Sequence, residues 1–114
     1  KLPGIAFRTI HFKPFSGAQS GKLIHGVQYY YTDYEAASLT LTNFYVMEAV
    51  NNLYPEHNPF ALSNSRNNMF DKVCGTDFVR NNFEKRLKVE DIVDYWNKDV
   101  EPFKALSKKY QLYK

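Results

Sequence analysis

Hydroxyl, amide, imidazole, phenol and carboxylate groups crowd into one short stretch, FKPFSGAQSGKLIHGVQYYYTD, from Phe12 to Asp33. Ser16, Gln19, His25, Gln28, Tyr30 and Asp33 are its candidate substrate-binding residues. Hydroxyls and phenols both donate and accept, an amide offers two donors and an acceptor, and an ionised carboxylate only accepts. A sugar is held by a few such convergent groups beside aromatic or apolar surface. In no other segment do all these chemistries fall so close together.

Catalytic groups do not stand out in the same way. Glycoside hydrolysis needs two carboxylates roughly 5 to 9.5 Å apart, one as acid and one as base or nucleophile. Asp33, Glu35, Glu56 and Asp71 lie outside the strongest helical patterns, but no spacing marks two of them as a pair, so no catalytic residue is assigned. Asp33 also suits a cap on the turn into Tyr34, and Asp71, ahead of Gly75 and Thr76, has a similar structural use. Ser16 next to Gly17 lacks a neighbouring base, and there is no GxSxG elbow, phosphate-binding loop or GxGxxG. His11, His25 and His57 have no His or Glu at helical metal spacing, so neither metal nor other cofactor is expected. His25 beside Gly26 fits either a ligand contact or a packed strand histidine. The single Cys74 cannot close an internal disulfide and reads as a small buried hydrophobe.

The elements that position these residues follow from periodicity. Gly4 to Phe12 reads as a strand covered on both faces, ended by Pro14; Leu23 to Thr32 reads as a second strand, with the Ser16–Gly21 loop between them. Tyr29 to Tyr31 must place phenols on both faces of that strand, and Gly26 within it suggests a bulge or a close backbone approach. Leu41, Phe44, Met47, Val50 and Leu53 recur at helical steps, so a helix runs from about Leu41 to Tyr54 and stops at Pro55. Glu56 to Asn68 is a long loop with Ser63, Asn64, Ser65, Asn67 and Asn68, a binding or mobile element by its length.

Met69 to Val73 makes one short turn ended by Gly75, and Thr76 offers a capping hydroxyl to a helix that turns Val79 and Phe83 inward. A last helix starts near Val89 with the stripe Ile92, Val93, Trp96, Val100 and Phe103, which makes Trp96 a core residue and not a sugar platform. Pro102 kinks or restarts that helix. The fold class expected is α+β, a small sheet packed by several helices in one domain spanning residues 1–114.

Composition narrows the function classes. The chain has 114 residues, 44% hydrophobic and 17% aromatic, enough for one core. Fifteen basic and twelve acidic residues give a net charge of +3, and they are interspersed, so no nucleic-acid footprint forms. Lys104, Lys108 and Lys109 do cluster, but cations near a helix C-terminus complement its dipole. No run of about 18 apolar residues is present, so no membrane span is expected. The chain starts at Lys1 without Met or a signal-like segment, which reads as a processing or excision boundary.

Several motifs in order resemble one family. LPGxxFR at Leu2 to Arg8, FxP with a Ser-containing loop and Gly at Phe12 to Gly21, and HGVQxxxTD at His25 to Asp33 are followed by LYP at Leu53 to Pro55. FDKxxGT at Phe70 to Thr76 and a final Trp96 with YxLY at Tyr110 to Tyr113 complete the set. Together they are similar to the C-terminal domain of the NamZ-type exo-β-N-acetylmuramidases. The resemblance implies a substrate-cleft domain beside a larger Rossmann-like N-terminal domain that carries the principal catalytic carboxylate. It also implies release of terminal N-acetylmuramic acid from peptidoglycan fragments outside the cytoplasm, in the periplasm or after secretion, with this chain inactive alone. Two positions depart from the family pattern: Gly17 stands where a Lys usually follows the loop Ser, and Tyr30 where a His is frequent. A stand-alone, non-catalytic module that binds glycan or protein is the alternative.

Overall fold

The computed structural model describes residues 1–62 and 66–113, and its elements make the chain α+β. Its contacts gather into two compact units, Lys1–Thr40 and Leu41–Lys114.

The first unit is an antiparallel hairpin of β1 (Ile5–Phe12) and β2 (Ile24–Tyr31). The register runs without interruption from Ile5 opposite Tyr31 to Phe12 opposite Ile24. The bulge expected at Gly26 is therefore absent, and Gly26 pairs squarely with Ile10. A Cβ there would make only ordinary contacts, 3.6 Å from both Ile10 and Phe12 side-chain atoms, so neither crowding nor backbone conformation demands glycine at this position. Gly4 locks the open end of the hairpin. It turns with φ 65°, its carbonyl accepts from Thr32 N–H at 2.8 Å, and a Cβ would sit 2.2 Å from the Asp33 carbonyl oxygen. Only glycine fits there.

The first strand is not covered on both faces as its apolar content leads one to expect, and the second is open as well. Phe7, Phe12, Val27, Tyr29 and Tyr30 are all exposed, Val27 at 64%. Alternation shows which residues share a face but not whether anything lies over it.

The second unit is helical: α1 (Thr42–Leu53), α2 (Pro59–Leu62), α3 (Asn67–Cys74), α4 (Phe78–Arg86), a 3-10 turn (Val89–Asp91), α5 (Val93–Asn97) and α6 (Val100–Ser107). Leu41, Phe44, Phe60, Val79, Phe83, Leu87, Val89 and Ile92 form its buried core. Phe44 is the hub, edge-on to Phe83 at 5.1 Å, Trp96 at 5.2 Å and Phe70 at 6.1 Å between ring centroids. Such T-shaped pairs add about 0.5–1.5 kcal/mol each beyond the area they bury.

Local chemistry sets the helix ends. Asn58 Oδ1 accepts from Phe60 N–H at 2.9 Å and starts α2 inside the stretch expected to be loop; Ser63, Asn64 and Ser65 of that stretch lie outside the described residues. Gly75, at φ 73°, closes α3 in the left-handed conformation, and Thr76 Oγ1 accepts from Phe78 N–H at 3.1 Å to open α4. Leu87 ends α4 at φ 52°, a left-handed conformation costing a non-glycine residue roughly 1–2 kcal/mol, and its 2% exposure shows the burial that holds it there. The expected last helix divides in two. The chain restarts as α6 so that Pro102 falls in a first turn, where its missing N–H costs nothing. The stripe divides with it: Ile92 is buried and Val93 and Trp96 pack against the core, whereas Val100 and Phe103 are exposed.

Candidate functional site

Alternation and register together sort the hairpin's side chains onto two faces. Arg8, Ile10 and Phe12 share one with Ile24, Gly26, Gln28 and Tyr30; Phe7, Thr9 and His11 share the other with His25, Val27 and Tyr29. The candidate residues are thereby divided. Gln28 and Tyr30 stand together, and His25 stands on the opposite face.

Gln28 organises the first face. Its Oε1 accepts from Arg8 Nε at 3.1 Å, from Arg8 Nη2 at 2.9 Å and from the Tyr30 hydroxyl at 2.7 Å. The Arg8 guanidinium carbon lies 5.1 Å from the Tyr30 ring centroid, within cation–π range. Arg8 joins this cluster of candidate residues although its motif alone did not mark it. Only the register reveals it, because it places Arg8 directly opposite Gln28.

On the second face His25 is paired across the strands with His11, their rings edge to face at 4.4 Å. Among the described residues no group of three or more His, Cys, Asp or Glu side chains is placed to hold a metal.

Ser16 and Gln19 lie exposed in the β1–β2 loop, which satisfies much of its own backbone: Ser20 N–H donates to Gly17 O, Gly21 N–H to Pro14 O and Lys22 N–H to Gln19 O, at 3.0, 3.0 and 3.2 Å. Ser20 Oγ donates to Phe15 O at 2.8 Å, and the Phe15 ring projects wholly into solvent. Gly17 and Gly21 adopt φ 93° and 75° to make these bends.

Asp33 serves the backbone. Its Oδ1 accepts from Glu35 N–H at 2.9 Å and Ala36 N–H at 3.1 Å, capping the turn after β2. The residue also borders a recess of about 740 Å³ at the hairpin's open end, shared with Leu2, Pro3 and Thr32.

Four carboxylates of the helical unit, Asp71, Glu84, Asp91 and Glu48, are likewise committed. Asp71 takes Arg80 through both oxygens, at 2.8 and 3.0 Å, and Glu84 flanks the same guanidinium at 3.3 Å. Asp91 pairs with Arg86, whose hydrogen bond holds the carboxyl below its usual range. Burial alone would raise the Glu48 carboxyl, but bonds from Val89 N–H at 2.8 Å and Lys88 Nζ at 3.0 Å outweigh it and leave the group lowered. Burial, reinforced by Asp71, pushes the Cys74 thiol up, which makes it a poor nucleophile. Trp96, packed on Phe44, also borders a recess of about 340 Å³ with Thr76, Tyr95 and Lys98.

Three findings place the chain among known proteins. Residues 1–113 match the family described as exo-beta-N-acetylmuramidase NamZ, C-terminal. The chain is 35% identical over 112 residues to the peptidoglycan beta-N-acetylmuramidase NamZ of Bacillus subtilis (strain 168), covering 98% of this chain and 26% of that protein. Its fold superposes with a TM-score of 0.92 and 44% identity on the crystal structure of a DUF1343-family protein from Bacteroides fragilis NCTC 9343, covering 99% of this chain and 30% of that one. The chain thus spans about a quarter to a third of the length of these relatives.

Proposed function

Because the chain belongs to the exo-beta-N-acetylmuramidase NamZ C-terminal family, we propose that it is the substrate-cleft domain of a peptidoglycan exo-β-N-acetylmuramidase that releases terminal N-acetylmuramic acid. The hairpin face on which Gln28 gathers Arg8 and Tyr30 carries this reading. It sets amide, phenol and guanidinium groups beside Ile10 and Phe12, the mixture of placed polar groups and apolar surface that suits a sugar. Ser16 and Gln19 are exposed in the loop that follows β1 and are further candidate contacts, and Asp33 shapes the turn after β2.

The catalytic carboxylate comes from a Rossmann-like N-terminal domain of the same enzyme. The commitment of Asp33 to backbone N–H groups and of Asp71 to Arg80 takes two of the four candidate carboxylates out of an acid/base pair, which needs two carboxyls free to exchange protons. The working site lies on the extracytoplasmic side, where peptidoglycan is.

A chromogenic N-acetylmuramide, offered to the full-length protein and separately to the 114-residue chain, tests the reading. Turnover is expected from the former and none above blank from the latter. Hydrolysis by the short chain overturns the division of labour. Binding without hydrolysis by the full-length protein favours a non-catalytic glycan module.

A further inference from the structure

Arg8 differs from the arginines of the helical core in what neutralises it. Arg80 faces Asp71 and Glu84, and Arg86 faces Glu90 and Asp91. Among the described residues no carboxylate pairs with Arg8; its guanidinium leans on the neutral oxygen of Gln28. That oxygen already takes three donors, so Gln28 cannot turn its carbonyl toward a ligand and presents its NH2 group instead. Arg8 Nη1 remains without a partner among the described residues, and Tyr30 supports the charge from below its ring face. The result is a positively charged set of N–H donors, held in one orientation and paired with no carboxylate among the described residues.

We infer that this array, Arg8 steadied by Gln28 and Tyr30, binds the carboxylate of the muramyl lactyl ether and so distinguishes a muramyl from a glucosaminyl terminus. The inference rests on the functional reading above. The two sugars differ by that ether, whose acid is the one formal charge on N-acetylmuramic acid. A planar guanidinium matches a carboxylate in a way that a sugar hydroxyl does not. Geometry places the apolar support nearby: the Gly26–Ile10 pair is the next rung on the same face, and Phe12, one rung further, is exposed. Arg8 is thus a specificity residue and takes no part in bond cleavage.

Binding of free N-acetylmuramic acid, its carboxamide and N-acetylglucosamine to the full-length protein tests this, read by calorimetry and by the Arg8 Nε–H resonance. The acid is expected to bind about 10- to 100-fold more tightly than either neutral sugar, the range for one charge-assisted hydrogen-bonded contact, and to shift the Arg8 signal. Added salt should narrow that gap. Arg8→Gln should bring the acid down to the level of the neutral sugars without weakening those, and Arg8→Lys should restore part of the preference. Equal affinities in the wild type, or a preference that survives Arg8→Gln, overturn the inference. A preserved preference with no glycoside hydrolysis sinks only the enzyme reading, so the two failures are separable.

Discussion

Arg80 in the helical unit is gripped by two carboxylates, while Arg8 in the hairpin rests on an amide oxygen. The same contrast runs through both units. Leu41–Lys114 turns Phe44, Phe83 and Ile92 inward and uses Glu48 and Asp71 to tie one element to the next. Lys1–Thr40 has a continuous ladder but leaves Phe7, Phe12 and Val27 exposed. A two-stranded ribbon is at best marginal in water, so its exposed side chains add little to its stability. Buried and exposed apolar side chains are thereby concentrated in different stretches of the chain.

The comparison is tested most severely at Phe83, which is fully buried at 0% exposure. Phe83→Ala should cost about 3–5 kcal/mol in denaturant unfolding, and a cost under about 1 kcal/mol would mean the aromatic hub is not the main support. Gly4 is the hairpin's own rigid point. Gly4→Ala, which combines a positive φ with a clash against the Asp33 carbonyl, should lose about 2–3 kcal/mol of protection in amide exchange of the β1–β2 ladder; unchanged exchange would disprove the lock.

Glu48→Gln should cost about 1–2 kcal/mol at neutral pH, because Lys88 and Val89 N–H lose a charged partner. The folded carboxyl titrates below its ordinary value, so its contribution is complete above that value of about 4.3 and fades as pH falls through the lower folded one. The stability gap between wild type and variant should therefore close on acidification below about pH 4. A gap independent of pH would mean the charge is not what matters. Smallest of all, Val27→Thr should change stability by no more than about 0.5 kcal/mol, and a loss above about 1 kcal/mol would reveal a partner over that face.

Helices were the more legible part of the sequence. Val79 and Phe83 sit four residues apart and both are buried, and α1 covers nearly the whole span its periodicity marks out. Pattern failed where tertiary context decides. Val100 and Phe103 continue an apolar stripe on paper, yet Phe103 is 67% exposed because the helix restarts ahead of Pro102. In the candidate site, the residue types around Gln28 and Tyr30 were visible, but their partner was not. A strand's period is two, so alternation alone sets His25 apart from Gln28. Arg8 emerges only when the register is known, and the long β1–β2 loop leaves that register unspecified by turn type.

Gly17 carries a consequence for inheritance between relatives. Its φ of 93° belongs to glycine, although a side chain there would meet nothing within 4 Å, so backbone conformation and not crowding restricts the position. A Lys at this position costs conformational energy on the present path of the backbone, or calls for another path that points different carbonyls and N–H groups outward. Aligned letters in this loop then do not denote equivalent atoms. The loop can change its path while the ladder beneath it keeps the same register.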